Sequence, residues 1–144
     1  MNEEVFPHIE TRTAASGLGN VQRPRRLDLT QPATWPEDEE FHVIYCINLF
    51  QVAPVSIADG MMQCASQLLA NDGFLFIYGP FKVDGKFTTP SNEEFDRTLR
   101  SAGVPEWGLK DTADLNRAAE KYGMRLDRRI DMPANNFALI YRRA

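Results

Sequence analysis

The sequence predicts an α/β fold with a mostly parallel sheet that closes on an antiparallel hairpin, and three stretches carry that expectation. Two are the apolar runs HVIYCINLFQ (42–51) and FLFIYGPF (74–81). Each is too short to cross a membrane and too continuous in Val, Ile, Leu, Phe and Tyr for a strand with one wet face, so both read as buried parallel strands. Between them, residues 54–71 place Ile57, Met61, Ala65, Leu68 and Leu69 at helical spacing, and Asn71-Asp72-Gly73 supplies a stop. This is a βαβ unit with a right-handed crossover. The third stretch, MRLDRRIDMPANNFALIYRRA, alternates at period two and reads as strands at 124–132 and 137–142 joined by a turn at Pro133-Ala134-Asn135-Asn136. Ligands in such sheets sit beyond the carboxyl ends of the strands. The informative residues are therefore Asn48 to Gln51 after the first run and Tyr78, Gly79, Pro80 and Phe81 at the end of the second.

The remaining elements follow in order. Pro7 suits the first turn of a helix, so a helix is expected from there to Ser16, closed by Gly17. Gly17-Leu18-Gly19 has the spacing of a phosphate loop but leads out of a helix instead of into one, which makes it a cap. RRLDLT (25–30) is a short strand candidate with Leu27 and Leu29 on one face and Asp28 on the other, and QPATWPEDEE (31–40) is a loop. Val83-Asp84-Gly85-Lys86 carries the Asp-Gly signature of a tight turn. Ser91 and Glu94 form a capping box that opens a helix with Phe95, Leu99 and Ala102 on its buried face and Gly103 at its end. Asp111 caps a further helix with Leu115, Ala118, Ala119 and Tyr122 as its buried stripe and Gly123 as its terminator.

Composition narrows the function classes. A chain of 144 residues, 43% hydrophobic and 25% charged, is one ordinary globular domain, residues 1–144. A net charge of −4 argues against nucleic acid as a partner, and the single basic cluster, RPRR at 23–26, reads as a solvated turn. No segment approaches the roughly 18 apolar residues of a membrane span, so no membrane partner is expected and the cytoplasm is the default location. Cys46 on a strand and Cys64 on a helix suit free, buried thiols. HExxH, GxxxxGK[ST], CxxC and G-x-S-x-G motifs are absent from the sequence. His42 and Cys46 share a strand face, but two ligands do not close a metal site, so no metal is expected.

The order of short motifs CINLFQVAP (46–54), YGPFKVDGK (78–86), SNEEFDRTLR (91–100), PEWGLKD (105–111) and DMPANN (131–136), preceded by NV (20–21) and LDLT (27–30), resembles the methyltransferase-like protein 26 family (DUF938). The resemblance covers essentially the whole chain. It implies the Rossmann-like fold of class I S-adenosylmethionine-dependent methyltransferases, with S-adenosylmethionine as cofactor and no named acceptor. A full-length member carries a strand, a glycine-rich loop of the form ExxSGSGQH, a helix and a second strand ending in an acid before the point where this chain starts. The chain is therefore expected to be an N-terminally truncated form of that fold, binding the cofactor weakly and inactive as an isolated chain.

The resemblance also implies site residues. Asp28 resembles the acid that lies near the adenine amino group, and Asn48 opens the link after the first strand, so both are candidate cofactor contacts. A small-molecule pocket is expected on the same rim, with Gln51, Gly79, Asn135 and Asn136 beside Asn48 and with Tyr78, Phe81 and Trp107 as apolar walls. The plainer alternatives stay open: Asn135 and Asn136 are good turn formers, Ser91 is a good cap, and Tyr78 can simply close the core. With its neighbour missing, the first apolar strand keeps an open edge, which either the 25–29 strand covers or a second copy pairs with. A two-fold homodimer burying more than about 1,000 Å² is the expected partner arrangement. A non-catalytic, self-associating small-molecule-binding domain is the alternative function.

Overall fold

The computed structural model describes residues 3–144, in two compact units that divide between Trp35 and Pro36. In the first unit, α1 (Phe6–Ser16) begins with proline in its first turn and ends at Gly17, whose φ of 67° accepts the left-handed cap that a side chain would resist. The strand expected at 25–30 does not form. The backbone N–H of Asp28 donates to Thr34 Oγ1 at 2.9 Å, while its carbonyl accepts from the Trp35 indole at 2.9 Å and from the Gln31 N–H at 3.0 Å. Both main-chain groups are consumed locally, so none is left for a ladder.

The second unit is a four-stranded sheet in the order β1-β2-β4-β3. Its strands are β1 (Phe41–Ile47), β2 (Leu69–Gly79), β3 (Met124–Met132) and β4 (Asn136–Arg143). β1 and β2 are parallel, and β4 runs back antiparallel between β2 and β3. The expected βαβ unit and C-terminal hairpin are therefore present. α2 (Ile57–Leu68) connects β1 to β2, α3 (Pro90–Ser101) and α4 (Thr112–Lys121) connect β2 to β3. No helix among the described residues is long and apolar enough to cross a membrane.

One face of the sheet holds the core. Leu75 pairs with Tyr141 and Ile77 with Leu139, all four with no accessible surface. α2 adds Met61, Met62, Ala65 and Leu68, and α4 adds Leu115 and Ala119. Both cysteines are free, as expected, and burial pushes each thiol up to about 11.

Two boundaries differ from the sequence reading. Asn71-Asp72-Gly73 does not end α2 but lies inside β2, in the irregular stretch where the register passes from Phe41↔Leu69 to Val43↔Phe74. A Cβ on Gly73 would stand 2.9 Å from the Phe41 carbonyl oxygen and 3.0 Å from that of His42, so β2 approaches β1 there only because the residue is glycine. α3 is capped by Thr89, which accepts from the Asn92 N–H at 3.2 Å, instead of by Ser91. Its buried side chains are the polar Asn92 and Asp96, while Phe95 is 40% exposed. The helix lies on backbone carbonyls and N–H groups, which polar side chains satisfy and apolar ones cannot.

β1 is the largest correction. Its place at the edge of the sheet is the expected one, but it is not buried on both faces: Val43, Tyr45 and Ile47 are exposed, Tyr45 at 70%. They pair with Phe74, Phe76 and Tyr78, which are half-buried. The sheet face opposite the core is therefore apolar and open, and no described strand pairs with the outer edge of β1.

Candidate functional site at the carboxyl ends of the parallel strands

β1 ends because Asn48 turns the chain. Its φ of 54° is a left-handed conformation that asparagine tolerates better than most residues, and its N–H still donates to the Tyr78 carbonyl at 2.9 Å. A 3-10 turn follows over Phe50–Val52 and buries Phe50 and Gln51. Gln51 is 8% exposed, with its carbonyl accepting from the Gly108 N–H at 2.9 Å. Its side-chain carboxamide has no hydrogen bond with any described residue and faces a cavity.

That cavity, of about 390 Å³, lies where β1 and β2 finish. Asn48 and Gln51 form one side, α3 contributes Ser91, Asn92 and Phe95, the β3–β4 turn contributes Ala134 and Asn136, and Pro80 closes the base. Gly79 lies beside these residues: a Cβ there would stand 3.6 Å from both Asn48 Oδ1 and Gln51 Oε1, so the two amide oxygens lie near each other at that point. Asn92 ties the walls: its Nδ2 donates to Thr88 Oγ1 and to the Asn135 carbonyl, each at 3.1 Å. Asn136 Nδ2 donates to the Pro133 carbonyl at 3.2 Å. The turn itself is held at positive φ at Ala134 (58°) and Asn135 (57°), a conformation that costs alanine of order 1 kcal/mol or more.

The structure thus brings Asn48, Gln51 and Asn136 to one concavity with Gly79 beside them. The other expected residues stand elsewhere. Asn135 lines an adjoining concavity with Arg129, Asp131 and Phe137. Phe81 is 1% exposed and packs on Phe50 with ring centroids 6.0 Å apart, so it belongs to the core instead of forming a wall. Tyr78 lies on the open sheet face beside Ile47. Trp107 borders a separate concavity with Lys82, Arg100 and Lys110. There Lys110 Nζ donates to the carbonyls of Glu106 and Gly108, and burial, aided by the charge of Arg100, pushes its pKa down.

Asn92, Ser91 and Phe95 were not expected at the site. Their signal was the SNEEF segment itself, which reads as a helix start and so conceals a wall. Beneath them, Asp96 holds the loop that ends at Asp111: its carboxylate accepts from the Leu109 N–H and from Arg100 Nε, both at 2.7 Å. A Cβ on Gly108 would lie 2.6 Å from Arg100 Nη2 and 2.9 Å from Asp96 Oδ1, and the φ of +136° is also one for glycine alone.

The link from β1 to α2 carries no glycine. Asp28, in the first unit, spends one carboxylate oxygen on Thr30, accepting from its hydroxyl at 2.7 Å and its N–H at 2.9 Å; these bonds hold the carboxyl below the usual range. Among the described residues no group of three or more His, Cys, Asp or Glu is arranged to hold a metal.

Comparison with known proteins agrees with this architecture. The model of a family described as "Protein of unknown function (DUF938)" matches residues 1–143. Mitomycin 7-O-methyltransferase MmcR superposes with a TM-score of 0.77 at 15% identity, over 98% of this chain and 40% of that one. An O-methyltransferase family protein from Burkholderia thailandensis gives 0.78 at 15% identity, over 96% and 40%. The calicheamicin-pathway methyltransferase CalO1, in its SAH-bound form, gives 0.62 at 15% identity, over 74% and 32%. At such identities the likeness shows the fold, an open α/β sheet of the methyltransferase kind. The chain spans 40% or less of the length of these structures.

Proposed function

Because the chain belongs to the DUF938 family, a family of proteins of unknown function, we propose that it is a methyltransferase-like protein whose described residues supply the acceptor side of the fold. The cavity over Gly79 takes a small molecule, and S-adenosylmethionine is not held by this chain in the conventional way. One observation carries the reading: the 8%-exposed Gln51 presents an unpartnered carboxamide to a cavity at the carboxyl ends of two parallel strands, where ligands bind in open α/β sheets. The carboxamide keeps access to water through the cavity, so a ligand there exchanges solvent hydrogen bonds for its own. The two buried free thiols suit a reducing compartment, and we place the protein in the cytoplasm.

Titration calorimetry tests the cofactor half of the proposal. With Asp28 engaged by Thr30 and the glycine-rich loop that the family resemblance implies not among these residues, the 144-residue chain binds S-adenosylmethionine, or its demethylated product, with a dissociation constant no tighter than roughly millimolar, or −4 kcal/mol. Micromolar binding sinks it.

The open face supports a second reading, a non-catalytic domain that self-associates around its ligand cavity. Val43, Tyr45 and Ile47 beside Phe74 and Phe76 form an apolar surface next to an unpaired strand edge, the feature that most invites a second copy. The expected homodimer buries more than about 1,000 Å². Light scattering at micromolar concentration decides: a mass twice 16.4 kDa is expected, and a monodisperse monomer excludes the dimer.

A further inference from the structure

We infer that the cavity over Gly79 selects an uncharged ligand that presents a hydrogen-bond donor and acceptor side by side, as a carboxamide or lactam does, and that it rejects carboxylates and other anions. The inference rests on the reading of this cavity as the small-molecule site and specifies what it takes.

Charge decides first. No residue lining the cavity is charged; its polar groups are the amides of Asn48, Gln51, Asn92 and Asn136 and the Ser91 hydroxyl. A ligand anion would lose water and gain no counter-cation, a cost that neutral hydrogen bonds do not offset. The amino end of α3 is nearby, yet little of it remains for an anion. Pro90 has no N–H, the Asn92 and Glu93 N–H groups are taken by the Thr89 hydroxyl and carbonyl, which leaves the Ser91 N–H alone, and Glu93 places a negative charge in the first turn.

Hydrogen-bond polarity decides second. Asn92 spends both Nδ2 hydrogens on Thr88 and Asn135 and keeps only its oxygen, whereas Asn136 uses one Nδ2 hydrogen on Pro133 and keeps a donor and an acceptor. Gln51 and Asn48 keep donor and acceptor together, with Oε1 and Oδ1 at equal distance from where a Cβ on Gly79 would be. A ligand that only accepts, such as a carboxylate, can take the Nδ2 and Nε2 donors but leaves the amide oxygens without a donor. A ligand edge carrying both N–H and C=O pairs with a carboxamide at two points. Phe95, 40% exposed, and the buried Pro80 give such an edge an apolar body to lie against.

Two isosteric probes separate the possibilities, benzamide and benzoate, each titrated into the full chain at pH 7 and followed by protein-observed NMR on the side-chain amide resonances. Benzamide is expected to shift Asn48, Gln51 and Asn136 and to bind roughly tenfold or more tighter than benzoate, since a site built for paired hydrogen bonds discriminates strongly against a ligand that leaves its groups unpaired. Gly79→Ala places a methyl at ordinary contact distances of 3.6 Å from both amide oxygens and 3.7 Å from Phe81, so it folds while crowding the two amides. It and Gln51→Met are each expected to weaken benzamide at least roughly fivefold. Benzoate binding as tightly as benzamide at these residues overturns the ligand class and leaves the cavity standing. Benzamide binding that Gly79→Ala does not change also overturns it. Shifts with neither probe overturn the reading of the cavity as well.

Discussion

Asp96→Ala lowers the stability of the chain by about 2–3 kcal/mol, because it strips a buried backbone donor of its partner and releases the loop that carries Leu109. Asp96 is 6% exposed, and its carboxylate is the acceptor for the Leu109 N–H, a group whose own residue is 1% exposed. Arg100, half exposed, supplies the second bond and loses little when the carboxylate goes, which keeps the figure below that for breaking a fully buried pair. Asp96→Asn retains an acceptor for Leu109 and costs less. The pH dependence has a definite sign. Burial pushes the Asp96 carboxyl up, but the hydrogen bonds from Arg100 and from the Leu109 N–H outweigh it and hold the group below its ordinary 3.8. The folded state therefore prefers the ionised form. This contribution is complete above the unfolded pKa and is lost as the pH falls through the lower folded value. Urea unfolding at pH 7 and below pH 4 checks both parts: the wild-type advantage over Asp96→Ala shrinks at acid pH, and an advantage that grew there would contradict the assignment.

Phe81→Ala is expected to cost about 3–5 kcal/mol, a large fraction of the stability of a domain this size. The ring is 1% exposed and tilted at 53° against Phe50, itself 2% exposed. Gly79 and Pro80 immediately before it are buried, which restricts collapse into the space left behind. The same substitution loosens the packing beside Gly79, since Phe81 Cε2 lies 3.7 Å from where a Cβ on Gly79 would be. Denaturant unfolding followed by circular dichroism measures it. A loss below about 1 kcal/mol would mean that the ring is not part of the packed interior.

The elements legible in the sequence are those that a local pattern determines. The apolar runs around Ile44 and Phe76, the helical spacing from Ile57 to Leu68 and the period-two alternation after Met124 state their own periods, and Asp111, Gly17 and Gly123 mark ends by chemistry that acts within a turn. The sheet order, with β4 between β2 and β3, does not follow from these local patterns and is the order the family resemblance implies. What the sequence concealed was decided by distant partners. Asp28 has strand-like neighbours, but its backbone groups are taken by Thr34 and Trp35. Phe95 and Leu99 imitate a buried stripe, whereas the helix lies on the Leu109 N–H and the Asn135 carbonyl, which require Asp96 and Asn92. Val43, Tyr45 and Ile47 look the same whether a neighbour covers them or not. At the candidate site, Asn48, Gln51 and Asn136 were within reach because strand ends mark ligand positions in this class of sheet. Phe81, Tyr78 and Trp107 carry apolar character without direction, and only the fold shows that each faces elsewhere.

Protein-observed NMR with a mixed set of small fragments, charged and neutral, tests most directly whether the cavity over Gly79 is the small-molecule site of this chain. The predicted result is that perturbations collect on the side chains of Asn48, Gln51, Asn92 and Asn136 and on the ring of Phe95, which share that cavity, and weaken in Gly79→Ala. Perturbations centred instead on Lys82, Trp107 and Lys110, around the separate concavity, would contradict it.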